Sequence, residues 1–174
     1  MRMVFTISMI SLTATPAAAL THEEWITAFV RFVDWPTPPP DAALTVCLQH
    51  DAPALDLDGK QVRGLNLKVR RVVRGRQLMG CHVYAALAGD ELHWARAIKF
   101  INHASHSSPM KAPPVLSIGQ GARFCDLGGT ICLVDDAASG TQTYRLNLDA
   151  LSRAGFRVDS QLLRTQPSRA AKTG

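Results

Sequence analysis

Apolar residues recur at three- and four-residue spacing through Trp25, Phe29, Phe32 and Val33, the period of a helix that turns one face to a core. Thr21 stands ahead of that run with Glu24 three residues later, the capping-box spacing in which each side chain satisfies the other's backbone amide. Pro36 stops the helix, because it brings no N–H and its ring collides with the turn behind it, and Pro38-Pro39-Pro40 predicts a stiff extended connector. Leu44 to Leu48 is then a short apolar run between that connector and the polar Gln49-His50-Asp51, which reads as a buried strand. Residues 53–64 predict a short helix or loop. From Leu65 to Val72 the apolar Leu65, Leu67 and Val69 alternate with Asn66, Lys68 and Arg70, the pattern of a half-buried strand with its polar side in water. Another strand, Cys81 to Leu87, follows the breaks at Gly75 and Gly80.

The second half of the chain changes period again. Leu92, Trp94, Ile98 and Ile101 fit a helix from Asp90 to about His103, with Asp90-Glu91 at the positive end of its dipole. The Ser-, His- and Pro-rich segment from Asn102 to Pro114 reads as a loop leading to a strand at Val115 to Ile118. Thr130 to Val134 and Thr143 to Leu146 form an antiparallel pair joined around Ala138-Ser139-Gly140. Asn147 caps a helix from Leu148 to Ala154, Gly155 stops it, and Phe156 to Val158 is a last strand before an apolar-periodic turn at Ser160 to Arg164. Strands separated by helices, with one late hairpin, predict an α/β fold: a single three-layer domain with a mixed sheet flanked by helices. No internal repeat interrupts it, and the tail after Gln166 is polar and expected to fray, leaving residues 167–174 disordered.

Ahead of this domain, Arg2 precedes an apolar run from Met3 to Leu12 that is too short to cross a bilayer, and Ala17-Ala18-Ala19 offers the small residues a signal peptidase reads. Residues 1–19 are therefore expected to be a secretory signal peptide, cut after Ala19, with the α/β domain over residues 20–166 and the periplasm as its compartment. About 155 residues would remain, enough for one domain with its own core.

Composition narrows the chemistry. Hydrophobic residues make up 47% of the chain and charged residues 19%, far from disordered composition. The formal charge of +5 is mild, and its densest stretch, Lys60, Arg63, Lys68, Arg70, Arg71, Arg74 and Arg76, reads first as a solvated strand face and second as a surface for acidic protein, lipid headgroups or phosphate. Four cysteines in an exported chain form an even set, expected as two disulfides. Three pairings are open in principle. Cys125 and Cys132 bracket a turn-rich loop with Gly128-Gly129, and a local bridge there leaves Cys47 with Cys81. The six residues between Cys125 and Cys132 do not fit zinc spacing, and His103-x-x-His106, with His22, His50, His82 and His93 scattered elsewhere, lacks a third ligand. No metal is expected. Gly119-Gln120-Gly121 is a fragment of a glycine-rich loop, but Phe124 stands where a dinucleotide fingerprint needs Gly. The serines sit in no nucleophile elbow, so no catalytic constellation, cofactor or nucleic-acid site is expected.

Several of these segments, in order, carry a resemblance. Phe29-Val30-Arg31-Phe32-Val33-Asp34-Trp35-Pro36, Leu44-Thr45-Val46-Cys47-Leu48, Gly59-Lys60-Gln61-Val62-Arg63-Gly64 running into Leu67-Lys68-Val69-Arg70-Arg71, Cys81-His82-Val83, Pro114-Val115-Leu116-Ser117-Ile118, Gly128-Gly129 and Ala154-Gly155-Phe156-Arg157-Val158-Asp159 through Arg164 resemble the YfiR/HmsC family of periplasmic regulators. The resemblance implies the pairs Cys47 with Cys81 and Cys125 with Cys132. It also implies a non-catalytic repressor that binds the periplasmic sensor region of an inner-membrane diguanylate cyclase, lowers cyclic-di-GMP and biofilm formation, and is withdrawn by an outer-membrane lipoprotein. A homodimer is a further partner expectation. Trp35 and Arg31 at the helix-to-proline corner, with Arg157 and Arg164 in the terminal segment, are the candidate partner contacts. The rival expectation is a periplasmic sensor in which the basic stretch or the terminal arginines bind a phosphate- or nucleotide-bearing small ligand.

Overall fold

The computed structural model describes residues 20–73, 75–107, 113–136 and 140–164, the side chains of residues 40, 105–107 and 164 apart. The expected signal segment, the tip of the late hairpin at 137–139 and the tail lie outside the described residues.

Helix α1 (His22–Phe32) starts as expected, with Thr21 and Glu24 exchanging capping-box hydrogen bonds. Strand β1 (Val33–Asp34) follows, then β2 (Ala43–Gln49), the short β3 (Gln61–Val62), β4 (Leu65–Val72), β5 (Val83–Ala86), α2 (Glu91–Ser107), β6 (Leu116–Gln120) and α3 (Ala122–Asp126). The chain closes with β7 (Ile131–Asp136), β8 (Thr141–Leu146), α4 (Leu148–Arg153), β9 (Arg157–Val158) and α5 (Ser160–Arg164). The main sheet has the spatial order β3-β4-β2-β5-β6-β7-β8. Its five central strands run parallel, while β3 and β8 are antiparallel edges. Separately, β1 and β9 pair as a two-stranded antiparallel ribbon, Val33 opposite Val158 and Asp34 opposite Arg157.

Alternation along each strand sends side chains to two cores. Leu44, Val46 and Leu48 of β2, with Leu116, Ile118, Ile131 and Leu133, meet Ile26 and Phe29 of α1, Leu151 of α4 and Leu162 of α5. On the opposite face Cys47, Tyr84 and Cys132 meet Ala97, Ile98 and Ile101 of α2 and Phe124 of α3. The arrangement is the expected α/β fold, a mixed sheet with helices on both sides. Near-continuous burial along β2 and β5 is what strands covered on both faces require. Both disulfides form as expected: Cys47–Cys81 ties β2 to the segment ahead of β5, and Cys125–Cys132 ties α3 to β7, each with Cα atoms 5.8 Å apart.

One local expectation needs correction: the loop expected over residues 102–114 is helical as far as Ser107, since α2 continues past its apolar face. Of the short helix or loop expected over residues 53–64, the loop forms, irregular until the short β3, which turns into β4 through Arg63-Gly64. Helix α3 had no apolar period to announce it, being five residues long. Its Phe124 is fully buried between Gly119 and Gly129, where a Cβ at either glycine would overlap the ring. The glycines of that segment thus make room for a core aromatic.

Candidate functional site

The β1–β9 ribbon places Trp35 at a corner. Helix α1 ends at Phe32, β1 carries the chain two residues further, and Pro36 prevents any continuation. The Trp35 ring is half-buried, edge-on to Phe156 at 5.3 Å and to His82 at 6.4 Å. These contacts fix its base, and its indole N–H is buried with no hydrogen-bond partner among the described residues. With the exposed Pro38, and over the buried Pro39, Trp35 forms a ridge between two hollows. One, about 340 Å³, is lined by Thr45, Lys68, His82 and Pro114 at the amino ends of the parallel strands. The other, about 270 Å³, is lined by Val30, Val33, Asp34, Arg63 and Leu65.

His82 holds the floor of the first hollow in register. Its backbone N–H donates to Thr45 O at 2.9 Å, and its carbonyl accepts from the Leu116 amide at 2.9 Å. The ring Nδ1 accepts from the Thr45 amide at 3.0 Å, which a neutral imidazole alone can do. Burial holds its pKa below the ordinary histidine value, in the same sense as that hydrogen bond.

Of the four residues expected to meet a partner, three come together here. Arg31 lies exposed in the last turn of α1, Arg157 is exposed on β9 opposite Asp34, and Trp35 stands between the hollows. Arg164 belongs to α5, and its side chain lies outside the described residues. Sequence reasoning missed Arg63. Its guanidinium reaches the Arg31 carbonyl at 2.9 Å and Asp34 at 3.3 Å. The signal was present at the hairpin turn, where a two-residue loop of this kind favours Asn or Gly and the chain has Arg63-Gly64 instead. The basic stretch does not act as one patch: Arg70 donates to the carbonyls of Gln77 and Met79, and Arg71 to those of His50 and Ala52. Arg74 lies outside the described residues.

Among the described residues, no group of three or more His, Cys, Asp or Glu side chains is arranged to hold a metal, and no helix is long and apolar enough to cross a membrane. The Trp35 corner offers a rigid aromatic ridge with cationic neighbours, an arrangement suited to gripping a protein surface.

The sequence profile of the YfiR/HmsC-like family matches residues 20–165. Curated proteins return no match. Among solved structures, a conserved domain protein from Vibrio cholerae O1 biovar El Tor is similar at a TM-score of 0.54 and 11% identity, over 86% of this chain and 60% of that one. An ABC domain in complex with L-Trp from Streptococcus pneumoniae is similar at a TM-score of 0.47 and 11% identity, over 80% of this chain and 59% of that one. The chain thus spans about three-fifths of the length of these structures.

Proposed function

The chain belongs to the YfiR/HmsC-like family of periplasmic, non-catalytic regulators, and from that premise we propose that it represses an inner-membrane diguanylate cyclase by binding the cyclase's periplasmic sensor region. The Trp35 ridge is the observation that supports this reading. Trp and Arg are the residues that most often anchor protein interfaces, and here a half-buried Trp is braced from below and flanked by exposed Arg31 and Arg157. An acidic sensor surface would complement the two guanidinium groups, with apolar side chains against the exposed edge of the indole.

Repression requires only that the regulator bind the inactive sensor conformation more tightly than the active one. A hundredfold preference, about 2.7 kcal/mol, moves an evenly divided cyclase to roughly 1% active when the regulator saturates both states. The two disulfides give this grip a dependence on envelope redox state, since reduction loosens the scaffold that carries the ridge. An outer-membrane lipoprotein would relieve repression by competing for the regulator.

Affinity capture of the processed protein from envelope extracts tests the reading. A membrane protein with a cyclase domain should be retained by the wild type and lost with Trp35→Ala. Capture of no cyclase, or equal capture by Trp35→Ala, contradicts it.

A further inference from the structure

The opposite end of the sheet carries a second site. Strands β2 and β5 are neighbours, yet the chain leaves them in opposite directions. From β2 it crosses to β4 over the α1 face, where Leu55 and Leu57 pack, whereas from β5 it crosses to β6 through α2 on the other face. The crevice outside the carboxyl ends of these two strands is therefore the point where the winding reverses, the place where open α/β sheets bind ligands. A cavity of about 440 Å³ opens there, within the range of small-molecule clefts.

Its chemistry is uneven. Val72, Leu78, Ala97 and Phe100 give it apolar walls. At its inner end Gln49 is only 3% exposed, and the Tyr84 hydroxyl donates to its Oε1 at 3.4 Å. Burial and the charge of Asp51 push the Tyr84 pKa up to about 12, so the phenol keeps its proton and its donor role. That bond leaves the amide nitrogen of Gln49 buried without a partner among the described residues. Gly89, at φ 86°, makes the arrangement possible, for a Cβ there would overlap the amide nitrogen. A buried donor without an acceptor is an unmet desolvation cost that a ligand oxygen would remove.

Charge at the mouth selects among ligands. His50 lies 3.9 Å from Asp51, and His93 lies 3.2 Å from Asp90, so each imidazole has its own carboxylate. Arg96 lines the same cavity and forms no ion pair among the described residues. Arg96 is thus the cation of the lining that has no carboxylate of its own among the described residues. We propose that this crevice binds a small carboxylate with an apolar body, the body packed between Val72, Leu78 and Phe100, an acceptor oxygen on the Gln49 amide, and the negative charge facing Arg96. A phosphate ester fits less well, because apolar walls and a single buried donor leave most of its oxygens without partners.

Calorimetric titration of the full processed chain with octanoate and with 3-phenylpropanoate, each beside its neutral amide, tests the proposal. At least one carboxylate should bind saturably and one to one, at least about tenfold more tightly than its amide. Arg96→Gln, at an exposed position, should weaken that binding about tenfold without disturbing the fold, and Gln49→Leu should weaken it at least as much. Absence of saturable binding by both carboxylates overturns the proposal. So does equal binding of the amide, or binding unchanged by Arg96→Gln.

Discussion

Arg63 clasps Asp34 across the edge of the molecule, 3.3 Å from guanidinium to carboxylate, while the same nitrogen donates to the Arg31 carbonyl at 2.9 Å. The residue holding this clasp sits at φ 51°, beside Gly64 at φ 76°, in the two-residue turn that joins β3 to β4. A left-handed conformation disfavours any residue with a branched or long side chain relative to Asn or Gly. The turn therefore keeps a residue that strains it locally, and the contacts to α1 and β1 explain why.

Replacing Arg63 with Asn should separate those two effects. Relief of backbone strain offsets loss of a half-exposed ion pair and one hydrogen bond, so unfolding free energy in urea should change by less than about 1 kcal/mol. The ribbon should nonetheless loosen. Hydrogen exchange at the Asp159 amide, which donates to Phe32 O, should accelerate. A loss of several kcal/mol, or unchanged exchange, would refute this account of the turn.

The two disulfides should contribute unequally. Closing the 34-residue separation of Cys47 and Cys81 restricts the unfolded chain more than closing the 7-residue separation of Cys125 and Cys132. In the chain-entropy model the first is worth about 4 kcal/mol and the second about 2.5 kcal/mol. Paired Cys→Ala replacements, compared by denaturant unfolding, should show the larger loss for Cys47 and Cys81. Arg70 adds to that difference, since its guanidinium lies 3.6 Å from the Cys47 sulfur and 3.4 Å from the Cys81 sulfur while bonding the carbonyls of Gln77 and Met79.

His82 makes stability depend on pH. Burial depresses its folded pKa below the usual 6.5, so below about pH 6.5 the unfolded chain binds a proton that the folded chain resists. Stability from this group is fully present above pH 6.5 and declines as pH falls toward the depressed value. Unfolding midpoints measured from pH 7.5 to pH 5 should fall, and His82→Gln should flatten that part of the profile. An unchanged slope in the variant would show that other groups set it.

Phe124 predicts the cost of a single methyl. A Cβ at Gly129 would overlap the Phe124 ring and approach its own chain's Phe124 carbonyl at 2.8 Å. Since neither the ring nor the backbone can yield easily in a filled core, Gly129→Ala should destabilise by about 2 kcal/mol or more. Gly140 has open space around its Cβ position but sits at φ 66°, so Gly140→Ala should cost only the backbone strain of that conformation, about 1 kcal/mol.

Periodic elements were legible in the chain, and features made by convergence were not. Thr21 and Glu24 announced the start of α1, and the strands containing Cys47, Leu67, Val83 and Ile118 followed from their apolar runs. Gln49 stands in the sequence as the polar border of a strand, because nothing in its neighbours shows that β2 extends one residue into a covered crevice. Phe124 belonged to a glycine-containing stretch whose meaning depends on Gly129 approaching from another element. At the Trp35 corner the aromatic and the proline stop were visible, whereas Arg63 lay 28 positions away in sequence from Trp35 and only the fold brings it to Asp34.

Repression through the Trp35 ridge is tested most directly by cellular cyclic-di-GMP. In a strain lacking the protein, the wild-type gene should lower the nucleotide, while Trp35→Ala and Arg157→Glu, exported at normal levels with both disulfides formed, should leave it high. Cyclic-di-GMP that is indifferent to deletion of the gene, or that both variants lower as well as the wild type, would contradict the account.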